Sequence, residues 1–106
     1  MSGIPIHSIL PSTASTIVNF SKAVTTAGTQ LPLFSSVTNC IAVLVVAKTT
    51  NTGLVFVGDS TTENDNAGGI PLAAGKGVTM FVLDASTIYV NSAVSGEGIT
   101  GVYYTR

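Results

Sequence analysis

Charge is what this 106-residue chain has least of. Asp, Glu, Lys and Arg together make up 8% of it, against about a quarter in an ordinary soluble domain. There is no Trp, one His and one Cys. Each scarcity closes off a class of function. Lys22, Lys48, Lys76 and Arg106 are scattered and outnumbered by Asp59, Glu63, Asp65, Asp84 and Glu97, for a net charge of −1. Direct nucleic-acid binding is not expected, because affinity for a polyanion needs a concentrated basic stripe that releases counterions.

Cys40 alone can build neither an intrachain disulfide nor a thiolate metal cage. Within its apolar run it reads as a small buried hydrophobe. His7, the one imidazole, has no second His or thiolate pair with which to complete a zinc site. A Ser-His-Asp unit would have to recruit it, and no Gly-x-Ser-x-Gly elbow is present. The five acids fall in or beside turns, where carboxylates ordinarily close the turn itself. The chain is therefore read as no enzyme, with no catalytic residue, no cofactor and no metal ligand assigned.

Residues 59–66 offer oxygen ligands for Ca²⁺ but depart from the EF-hand pattern, whose third ligand position, counted from Glu63, falls on Ala67. The glycines at 68, 69, 75 and 77 lack the spacing of a phosphate loop. No apolar run approaches the ~18 residues of a membrane span, and residues 1–10 lack a basic leader pattern. Neither a membrane partner nor a signal peptide is expected.

In place of charge stand Thr, Ser, Asn, Gly and Ala. Short neutral side chains lose little rotamer entropy when covered, and charge depletion is the mark of interface cores. Such a surface suits packing into an assembly. The apolar fraction of 45% suffices for one modest core in a chain of this length.

Alternation over 16–23 predicts a strand with Ile17 and Asn19 on one side and Val18 and Phe20 on the other. In Leu31-Pro32-Leu33-Phe34 the missing donor of Pro32 restricts the piece to an edge or a crossing loop. The strongest predicted strand covers 38–48, with Ile41, Val43 and Val45 facing one way and Cys40, Ala42, Leu44 and Val46 the other. The turn residues 49–53 predict a hairpin that returns as 54–57. A long polar loop over 59–69 precedes further strands at 78–83, 87–91 and 99–105. Six or seven short strands and no helix predict an all-β fold, a small antiparallel β-sandwich or jelly-roll-like barrel over residues 14–106. Residues 1–13, with Pro5 and Pro11, read as an extended N-terminal arm that lies against this domain or a neighbour.

Strands 41–46, 54–57 and 78–83 carry apolar residues on both faces, whereas a sandwich strand ordinarily buries one. A domain this small has little mass with which to cover both. The expectation is a homo-oligomer or other obligate assembly, with Ile4, Ile6, Ile9, Leu10, Val43, Leu44, Met80 and Phe81 as interface candidates.

Five segments carry a family likeness. They are Asn51-Thr52-Gly53-Leu54-Val55-Phe56-Val57-Gly58-Asp59-Ser60, the run Gly69-Ile70-Pro71-Leu72-Ala73-Ala74-Gly75-Lys76-Gly77-Val78-Thr79, Ile88-Tyr89-Val90, Gly96-Glu97-Gly98 and Val102-Tyr103-Tyr104. Together, over roughly residues 37–104, they resemble small all-β structural proteins of tailed-phage virions: capsid decoration or cement proteins, or short head and tail appendages. The resemblance implies a virion location and the major capsid protein as partner. It also implies the alternative of a receptor- or carbohydrate-binding appendage of a head or tail fibre, reading a host surface through loops and tyrosines.

Overall fold

The computed structural model describes residues 16–106, so the expected arm with Ile4, Ile6, His7, Ile9 and Leu10 lies outside the described residues. The described chain is all-β, as expected: two four-stranded antiparallel sheets packed as a sandwich. Its strands are β1 (Thr16–Ala23), β2 (Leu31–Pro32), β3 (Ala42–Ala47), β4 (Val55–Gly58), β5 (Ile70–Leu72), β6 (Gly77–Met80), β7 (Tyr89–Ser92) and β8 (Gly98–Thr105), with one 3-10 turn at Ala85–Thr87. The first sheet has the order β1-β8-β3-β6 and the second β2-β7-β4-β5.

The period-2 rule sets the core. Val43, Val45 and Ala47 of β3 and Ile99 of β8 point inward against Val55, Val57, Leu72 and Val90 of the second sheet, and all are buried. At one margin Phe20, Phe34 and Tyr103 pack ring to ring, with Phe34 edge-on to Tyr103 at a centroid distance of 5.5 Å. Such aromatic contacts add to simple area burial.

One expected pairing is not made. The residues after β3 do not return as a hairpin: β4 joins the other sheet, between β7 and β5. Both edges of β3 are already taken by β8 and β6. A two-residue hairpin turn would also want a glycine at positive φ, and Gly53 is not among those that adopt it.

Close approach explains one glycine. Gly101 pairs with Phe20 on one side and Val45 on the other, and a Cβ there would run into the carbonyl of Leu44. Gly101→Ala should therefore destabilise the sandwich by roughly 1–3 kcal/mol, the scale of overpacking. A thermal melt of the variant checks this, and an unchanged midpoint would refute it.

Candidate docking surface

The two sheets differ in what lies over their outer faces. On the second sheet Phe56 and Asn91 are register partners and point away from the core, yet both are buried. The polar loop 59–69 folds back over them. Thr62 is buried beneath it, and its carbonyl accepts from Asn91 Nδ2 at 3.1 Å. Asn91 Oδ1 in turn accepts from Gly28 N–H at 3.0 Å and Ser92 N–H at 2.9 Å, which ties in the turn after β1. The expectation that 54–57 presents an apolar face to another subunit is thus corrected for 55–57: Val55, Phe56 and Val57 are all covered by their own chain, and only Leu54 stays exposed.

The first sheet has no such cover among the described residues. Its outer face is built by alternation from Ile17 and Asn19 of β1, Val102 and Tyr104 of β8, Leu44 and Val46 of β3, and Thr79 of β6. None is charged. Leu44, Val46, Val102 and Tyr104 are half-buried, and Ile17 is 62% exposed. Beyond β6 the chain leaves the strand and bends at Leu83, with Phe81 78% and Leu83 77% exposed.

Of the sequence-predicted interface residues in the described part, Leu44 lies in the middle of this outer face and Phe81 at its margin. Met80 is partly buried and packs on the core. Val43 is wholly enclosed within its own chain, so it belongs to the core rather than to a docking surface. Its odd position in β3 puts it on the inward side with Val45, one residue out of phase with Leu44. Val102 and Tyr104 stand in one of the segments that carry the family likeness but are not among the interface candidates read from the sequence. Only the register of β8 against β3 sets Val102 beside Leu44 and Tyr104 beside Ala42.

Three acids hold loops closed. Glu97 accepts from Thr52 N–H at 2.7 Å, the Thr52 hydroxyl at 2.9 Å and Gly53 N–H at 3.0 Å, fastening the crossover that carries the chain from β3 into the second sheet. Asp84 caps the 3-10 turn, accepting from Ser86 N–H and hydroxyl and from Thr38 N–H. Asp59 accepts from Thr61 N–H and hydroxyl. Each carboxyl is held below its ordinary range, chiefly by the Gly53 amide at Glu97, the Thr38 amide at Asp84 and the Thr61 hydroxyl at Asp59.

Depressed folded values mean that this stabilisation is complete above the ordinary carboxylate range, about pH 4, and fades as pH falls through the lowered values. Stability should therefore drop on acidification below about pH 4, and Glu97→Gln should flatten that limb in melts taken across pH. An acid limb identical to wild type would contradict the role given to Glu97.

Among the described residues no three His, Cys, Asp or Glu side chains come together as a metal-binding group. Cys40 is buried and its Sγ–H donates to Val82 O at 3.1 Å. Burial, then the charge of Asp84, pushes its thiol pKa up, which leaves little thiolate for chemistry. No helix of the described residues is long and apolar enough to cross a membrane. Comparison with protein-family models, curated proteins and solved structures finds no match to this chain.

Proposed function

We propose that this chain is a non-enzymatic structural protein of a tailed-phage virion that decorates or cements the capsid by docking between subunits of the major capsid protein. The observation that carries the reading is the contrast between the two outer faces. The second sheet is roofed by its own loop through Asn91 and Thr62, while the first presents Leu44, Val46, Val102 and Tyr104 under no described cover. Burying such a face yields about 25 cal/mol per Å² before association costs. With no charge on the face, there is none to desolvate. The likeness of 37–104 to virion decoration proteins supplies the kind of partner.

Titration of the purified protein onto shells that lack it tests the reading. Binding should saturate at a fixed ratio to the major capsid protein, and Val102→Asp should abolish it while leaving the melting midpoint nearly unchanged. Absence of saturable binding, or binding to host cells that is lost on substitution within 59–69, would overturn it in favour of a receptor-binding appendage.

A further inference from the structure

Every open sheet has two edges whose backbone donors and acceptors invite another strand, and stable monomers guard them with proline, brevity or inward-pointing charge. Among the described residues, three of the four sheet edges are guarded. In the second sheet β2 is two residues long and contains Pro32, and β5 is three residues long and contains Pro71. In the first sheet β1 carries Lys22 on its inward parity, alongside Val18 and Phe20. The fourth edge is β6 and its extension through Leu83, Gly77-Val78-Thr79-Met80-Phe81-Val82-Leu83, with neither proline nor charge.

The geometry points to this edge as the site where a second copy of the chain pairs, antiparallel, about a two-fold axis at Met80. Beyond Met80 the ladder stops and Leu83 sits at a bend, but the isolated bridge Asn39↔Asp84 resumes the count set by Val43↔Met80. Centring on Met80 places Lys76 of each copy opposite Asp84 of the other, so the two charges that bracket the edge along its own chain meet with opposite sign. Phe81 faces Thr79 across the axis and Leu83 faces Gly77, so each large exposed side chain meets a small one. Cross-strand pairs of this kind stabilise a sheet, and like charges would oppose it.

A second feature supports the same occupant. Beside the edge, between the two sheets, opens a recess of about 420 Å³ whose walls include Met80, Phe81, Val82 and Ile88, with Asp59 at its rim in the 59–69 loop. The inward-parity residues of a paired strand, Met80 and Val82 again, would lie alongside it. A pairing about a two-fold closes on itself, so it yields a dimer and no fibre. This goes beyond the proposed role on the shell, because it concerns the protein alone in solution and leaves Leu44 and Val102 free.

Sedimentation of the wild type over a range of concentrations should show a dimer that dissociates on dilution. Thr79→Lys combined with Phe81→Lys sets lysine against lysine across the axis and should give a monomer whose melt shows a folded protomer. Met80→Cys should cross-link to itself under mild oxidation, because residues directly opposed in an antiparallel pair lie within disulfide reach. Peptide mapping should find the 80-to-80 bond between copies. A wild type that stays monomeric at all concentrations overturns the inference, as does a dimer that survives the double lysine change or forms no 80-to-80 bond. Slow amide exchange over 77–83 in a monomer would give the edge to residues 1–15 of the same chain and overturn it equally.

Discussion

Replacing Val43 by aspartate should leave the chain unfolded at room temperature, while the same change one residue on, at Leu44, should leave the fold standing. Val43 is fully enclosed in the core beside Val45. A carboxylate there would have no partner, a cost of several kcal/mol, and the lost burial of the valine adds roughly 1.5–3 kcal/mol. Together these rival the whole stability of a domain this size, about 5–15 kcal/mol. Leu44 is half-buried on the outer face, where a charge reaches water and should cost about 1 kcal/mol or less, as surface changes do. Far-UV spectra and melts of both variants check the contrast. A folded Val43→Asp, or an unfolded Leu44→Asp, would invert the assigned faces of β3.

Asn91→Leu should lower stability on the order of 4 kcal/mol, because it strips partners from three groups at once: Gly28 N–H, Ser92 N–H and Thr62 C=O. Each polar group left buried and unpaired costs about 1–3 kcal/mol. For a domain of this length that is a fall in Tm of at least roughly 15 °C. The local consequence is more specific. With Asn91 gone, the 59–69 loop loses its tie to β7, and amide exchange there should speed up before the core strands respond. A change below about 1 kcal/mol would mean that water enters and replaces the asparagine.

Much of this architecture was legible residue by residue. Alternation over 16–23 predicts β1 and its two faces, since Val18 and Phe20 fall on the inward side and Ile17 and Asn19 on the outer one, although Ile17 outside and Lys22 inside blur the polar and apolar division. Pro32 allows an edge or a crossing loop, and β2 is an edge. Where the sequence misled, the cause lies in contacts distant along the chain. The turn residues 49–53 suit a hairpin locally, but Glu97, some 45 positions on in sequence, claims Thr52 and Gly53 and directs β4 to the other sheet. β5 was unread as a strand because three residues containing a proline carry no period. Asn91 looked like an ordinary strand residue, and nothing local says that Thr62 and Gly28 will close around it.

The candidate docking surface was half legible. Two-sided apolarity in β3 correctly marked a strand with two buried or half-buried faces, but parity alone does not say which face is the core. Parity thus makes both Val43 and Leu44 interface candidates, and only the packing of the second sheet against Val43 separates them. In 54–57 the same two-sided pattern has a different cause, since Phe56 is roofed by a loop that reads as plain solvent-facing polar sequence.

A density map of the native virion tests the proposed role most directly. The account predicts many copies in fixed stoichiometry with the major capsid protein, seated at junctions between its subunits, with Leu44, Val102 and Tyr104 against the shell and the 59–69 loop turned outward. A few copies at the tip of a fibre, or a shell facing the 59–69 loop while the outer face of β8 and β3 meets solvent, would contradict it.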